Sequence, residues 1–199
     1  MMKKASAGKP LKGSRPNIIL VMTDDQGMGD LACLGNQVLK TPNLDKFYSV
    51  STRFTEFHVS PTCAPSRSAI MSGRHEFRDG VTHTILERER MALSTTTMPE
   101  VLRTAGYETG IFGKWHLGEE EEHWPDKKGF QRSFALMQGG ASHFGDEASM
   151  CNDYYPIYAE DGVRTHTPDD FYSSTFYANK MIDYLETRDN SKPFFGYLA

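Results

Sequence analysis

Cysteine is scarce in this 199-residue chain: three residues, Cys33, Cys63 and Cys151, an odd number without C-x-x-C spacing. That excludes a disulfide framework and a zinc ribbon. Long hydrophobic runs are also missing, and the longest, Ile18-Ile19-Leu20-Val21-Met22, is far too short to span a bilayer. The leader from Met1-Met2-Lys3-Lys4 to Arg15 is basic but has no apolar h-region. No secretory signal is read there, so a cytoplasmic location is expected, or a periplasmic or secreted one if the true start lies elsewhere. No basic run follows, and the formal net charge of −4 points away from nucleic acid and from an anionic membrane surface as partners. Internal repeats are absent.

What is present is globular in composition: with 38 % hydrophobic and 24 % charged residues, the chain is neither disordered nor collagen-like. A chain of this size buries about 70 % of its unfolded surface, enough for a sizeable core. The expected division is a disordered polar leader over 1–15 and one folded part over 16–199.

Pro16 to Thr23 reads as a strand buried on both faces, ending in the turn Asp24-Asp25-Gln26-Gly27. Thr41-Pro42 starts a helix carrying Leu44, Phe47 and Tyr48 on one face. Residues 52–58 alternate, which predicts a short strand. A helix is expected from Pro65 to its stop at Gly73. Thr97 and Glu100 have capping-box spacing ahead of a helix that Gly106 ends. Tyr107 to Gly113 reads as a second parallel strand, residues 117–170 as mostly loop, Ser173 or Ser174 as a helix cap, and Pro193 to Ala199 as a strand. Alternating strands and helices predict an α/β fold with a mostly parallel central sheet flanked by helices. Ligands of such sheets sit beyond the carboxyl ends of the strands, where Asp24-Asp25 and Lys114/His116 fall.

Each of these side chains has an ordinary reading as well. Two adjacent carboxylates are more often a solvated turn than a site, yet at a strand end they suit a hard cation, Ca²⁺ or Mg²⁺. A lone Cys63 is most often a small buried hydrophobe; at a helix start it can also be an activated thiolate. The helix that follows directs N–H groups at an anion, and Arg67 adds a planar fork of donors one turn on. Lys114 and His116 occupy alternate positions, so an extended backbone turns both to one side. His58 and His143 are weaker candidates for the pocket wall. His75, His83, His123 and His166 read as loop residues, and Glu119 to Glu122 as a solvated run.

Cys63-Ala64-Pro65-Ser66-Arg67 is a C-x-P-x-R pattern, which chance produces in about one chain in a hundred of this size. With the uninterrupted Gly113-Lys114-Trp115-His116-Leu117-Gly118, the opening strand to Asp24-Asp25, and Met71-Ser72-Gly73-Arg74, it resembles the sulfatase family over about residues 15 to 199. The resemblance implies an alkaline-phosphatase-like sandwich, incomplete at the C-terminus. It implies a sulfuric ester hydrolase of the arylsulfatase kind, acting on small-molecule or sugar sulfate esters. Cys63 would be converted to formylglycine by a formylglycine-generating enzyme, and the aldehyde hydrate offers a hydroxyl for attack. Asp24, Asp25 and the modified Cys63 would hold Ca²⁺, or Mg²⁺. Arg67 would support charge, Lys114 clamp sulfate, His116 accept a proton and His143 line the substrate mouth. A hydrolase of phosphonate or phosphate monoesters on the same fold is the first alternative. Family members continue past the strand at Phe194–Leu198 with a further sulfate-binding His, an Asp-Asn/Gln pair and a second Lys, so an inactive fragment is the other.

Overall fold

The computed structural model describes residues 12–146 and 155–199. Its centre is a six-stranded sheet in the order β1-β6-β2-β3-β4-β5. The strands are β1 (Ile18–Val21), β2 (Glu108–Lys114), β3 (Arg132–Leu136), β4 (Tyr158–Glu160), β5 (Val163–Thr165) and β6 (Phe194–Leu198). β1, β6, β2 and β3 run parallel, whereas β4 and β5 add an antiparallel edge. Four helices accompany them: α1 (Pro42–Tyr48), α2 (Cys63–Ser72), α3 (Met98–Thr104) and α4 (Ser173–Thr187).

Side chains alternate across the central strands and fill a core on each face. Ile111, Phe195 and Tyr197 join Ala64 and Met71 of α2 and the buried Trp115 and Phe130. Phe112, Phe134 and Phe194 point the other way, onto Met181 and Tyr184 of α4. β6, β2 and β3 are thus covered on both faces, as strands of a parallel sheet usually are.

Several expectations need correction. β1 is not buried on both faces: it lies at the sheet edge, with Ile19 53 % and Val21 60 % exposed. Residues 52–58 form no strand, because their alternation meets no partner strand and their side chains stay exposed. Most described residues of the 117–170 stretch are loop, as expected, but β3, β4 and β5 also lie within it. α2 begins two residues before Pro65, at Cys63 itself, and Gly73 stops it in the left-handed conformation (φ +67°). The capping box holds: Glu100 accepts the Thr97 backbone N–H at 2.7 Å. Residues 1–11 of the leader and Cys151 lie outside the described residues.

Candidate active site

The carboxyl ends of β1 and β2 bring two segments together that are ninety positions apart. Asp24, just past β1, accepts a hydrogen bond from Lys114 Nζ at 2.8 Å, the last residue of β2. Asp25 follows in the left-handed region at φ +52°, which a short polar side chain tolerates. Arg67 reaches the same point from below. It is 1 % exposed, donates to the Lys114 carbonyl at 2.7 Å and holds NH2 3.7 Å from Asp24 Oδ1. Its NH1 also lies 3.4 Å from the Tyr197 hydroxyl on β6. Burial opposes ionisation of Asp24, but the Lys114 hydrogen bond and the charges of Lys114, Arg67 and His116 outweigh it. The carboxyl is held below its ordinary value.

Cys63 is the first residue of α2 and is partly buried, a free thiol. It stands four positions before Arg67, so both lie on one helix face. From that helix Arg67 reaches Asp24. Among the described residues, Arg67 Nε and NH2 have no hydrogen-bond partner. Buried N–H groups that make no hydrogen bond, on a helix of this kind, fit an anion with several oxygens.

A hollow of about 520 Å³ opens above the carboxylates, lined by Asp24, Asp25, Lys114, His143, Ser173 and Tyr177 among others. His143 Nδ1 meets Ser173 Oγ at 2.5 Å at the start of α4. Cys63 is not part of that lining, and neither is His58, which is exposed and faces Glu56 at 3.7 Å. His116 departs from the extended backbone expected of it, with φ +57°. Its buried ring contacts Glu89 and the Thr84 carbonyl. His123, read as a loop residue, is buried and bonded to the Met91 carbonyl. In the acidic run, Glu120 pairs with Arg90.

The sequence reading passes over three participants. Glu89 lies in Glu87-Arg88-Glu89-Arg90, which looks like solvated charge. Tyr197 looks like ordinary core, and Ser173 like a helix cap.

Asp24 and Asp25 are hard oxygen donors, the chemistry that Ca²⁺ or Mg²⁺ takes. Ca²⁺ takes six to eight oxygens, so two carboxylates are part of a shell. Among the described residues no group of three or more His, Cys, Asp or Glu side chains gathers as a metal cluster.

Lys114 and Arg67 thus meet Asp24 at the carboxyl ends of a parallel sheet, and Arg67 comes from the helix that Cys63 begins. The sulfatase family model matches residues 16–199, and the chain belongs to the sulfatase family. It is 35 % identical over 196 residues to an arylsulfatase of Klebsiella aerogenes, covering 93 % of this chain and 42 % of that one. To an uncharacterized sulfatase of Schizosaccharomyces pombe it is 33 % identical, over 96 % of this chain and 38 % of that one. The chain therefore spans about two-fifths of the length of these relatives.

Among solved structures, a protein in complex with its substrate D-glucosamine-2-N,6-O-disulfate is 32 % identical, with a TM-score of 0.73 over 92 % of this chain and 33 % of that one. Another, in complex with a neocarrahexaose, gives 0.80 at 26 % identity, over 93 % and 44 % of the two chains. The phosphonate monoester hydrolase of Agrobacterium radiobacter shares the fold at 17 % identity, with a TM-score of 0.53 over 92 % of this chain and 40 % of that one. The alkaline-phosphatase-like sandwich, present here as a partial domain, is the fold of this family.

Proposed function

We propose that this chain carries the nucleophile half of a sulfuric ester hydrolase, R–O–SO₃⁻ plus water giving R–OH plus sulfate. The observation that carries the reading is the convergence of Arg67, Lys114 and Asp24 beside the helix that Cys63 begins. Formylglycine at Cys63 would supply a nucleophilic hydroxyl, and a divalent cation on Asp24 and Asp25 would supply Lewis acidity. The chain's own residues do the rest. Lys114 and the Arg67 donors that make no hydrogen bond bind the sulfuryl oxygens, whose charge grows in the transition state. His116 accepts a proton, and the hollow bordered by His143, Ser173 and Tyr177 receives the alcohol side of the ester. A sugar sulfate fits this reading, since a relative in the solved structures takes a sulfated glucosamine as substrate.

The test is intact mass followed by kinetics, on protein made with a formylglycine-generating enzyme. Conversion of Cys63 makes the chain about 18 Da lighter, and an unmodified thiol would remove the proposed nucleophile. Paired kinetics on aryl sulfate and aryl phosphonate esters should favour sulfate. A preference for phosphonate by orders of magnitude would overturn the reading in favour of the related monoester hydrolase. Full conversion with no turnover of either ester would mark the chain as non-catalytic by itself.

A further inference from the structure

Resting on the sulfatase reading above, we propose that Glu89 is a positioning residue: it fixes His116 in the Nε2–H tautomer and leaves Nδ1 as the atom free to take a proton from a formylglycine hydroxyl. The assignment follows from what surrounds the ring. Nε2 lies 3.0 Å from the Thr84 carbonyl oxygen and 2.9 Å from Glu89 Oε2. A carbonyl oxygen and a carboxylate oxygen only accept, so the nitrogen facing both must carry the hydrogen. Neutral imidazole has one N–H, which leaves the lone pair on Nδ1. That atom is buried and has no hydrogen-bond partner among the described residues.

The ring has little freedom to escape this arrangement. Its backbone is left-handed at φ +57° and tied by the His116 N–H to the Met137 carbonyl at 3.1 Å. Gly139 closes over the imidazole so tightly that a Cβ there would lie 2.6 Å from Cε1 and 2.7 Å from Nε2. Glu89 is itself buried, at the end of the single turn Leu86–Glu89. The neighbouring Thr82 N–H anchors that turn by donating to the Arg88 carbonyl at 2.9 Å.

A carboxylate does more here than an amide would. When Nδ1 takes a proton, the hydroxyl O–H bond breaks with its electron pair left on oxygen. A new N–H bond forms, and the imidazolium then carries hydrogen on both nitrogens. Its charge is met by Glu89 across Nε2 and by Asp24 from the end of β1. Outer carboxylates that orient a working imidazole act in this way in many sites.

The test uses the whole chain, labelled with ¹⁵N-histidine, in long-range ¹H–¹⁵N correlation spectra above the imidazole titration. His116 is assigned by the signal lost in His116→Gln. The expected result is a proton on Nε2 in the parent and in Glu89→Gln, with a second tautomer emerging in Glu89→Leu. A proton on Nδ1 in the parent, or an unchanged tautomer in Glu89→Leu, would overturn the proposal. In matured protein acting on an aryl sulfate, kcat should fall about 10- to 100-fold in Glu89→Leu with KM little changed. Glu89→Gln, which keeps shape and loses charge, should fall in between. Should Glu89→Leu fail to fold, an unchanged kcat in Glu89→Gln sinks the charge role. If the matured parent turns over no sulfate ester, the function proposed above fails, while the spectra still decide the tautomer.

Discussion

Gly139 is a sharper probe of the His116 geometry than His116 itself. Gly139→Ala places a methyl group inside the contact distance of the imidazole, so the ring must move while its chemistry is untouched. Displacement of a reacting group by about 1 Å costs up to 100-fold in rate, so kcat should fall by at least tenfold. Thermal denaturation should show the fold retained, and unaltered kinetics would show that the ring position does not matter. Arg67 tests the other side of the site. Arg67→Met leaves the Lys114 carbonyl and the Tyr197 hydroxyl without this donor and Asp24 with one cation fewer. A loss of about 1–3 kcal/mol in urea unfolding is expected from the buried groups left unsatisfied. Arg67→Lys should not restore the site, because an ammonium has no planar fork.

At the level of elements, the turn from α4 to β6 carries a pH signature. Asp189 accepts from the Ser191 hydroxyl and backbone N–H and faces Lys192, and these partners bring its carboxyl down to about 2 from 3.8. A lowered carboxyl adds stability above its ordinary value and loses it as pH falls toward its folded value. Urea midpoints of the parent and of Asp189→Asn should therefore differ most above about pH 4 and converge toward pH 2. A gap that does not narrow would remove the turn from the acid response. The elements that the sequence displays are those with an unambiguous period and a terminator: α1 after Thr41-Pro42, β2 running into Lys114, α4 with Met181 and Tyr184, and β6. Those it hides are short. β4 and β5 have three residues each, too few to show alternation, although Asp161-Gly162 between them is a two-residue hairpin turn with positive φ at both positions. The site divides likewise. Lys114, Arg67 and Asp24 belong to segments with recognisable spacing. Glu89 meets His116 only because the chain folds the Leu86–Glu89 turn back onto the imidazole, a long-range contact that no local pattern encodes.

On the scale of the whole molecule, apolar side chains between residues 19 and 59 stand exposed. Ile19 and Val21 share one face of β1, where Val21 borders the hollow, Leu44 and Phe47 lie on α1, and Phe54, Phe57 and Val59 on the segment leading to Cys63. β1 is also an edge strand, hydrogen-bonded on one side to β6, and an unpaired edge with apolar side chains invites further pairing. The relatives, more than twice as long, have further chain with which to cover the corresponding surface. In solution the 199-residue chain should therefore self-associate as its concentration rises and bind a hydrophobic dye such as ANS. Ile19→Lys and Phe47→Lys, at positions outside the lining of the hollow and without a hydrogen bond or ion pair to Asp24 or Arg67, should lower both signals without disturbing the sheet. Sedimentation velocity across a concentration series is the deciding measurement. A monodisperse monomer with no dye binding would mean that the exposed side chains close over one another, and that the hydrophobic term, about 25 cal/mol for each Å² buried, is already satisfied within one chain.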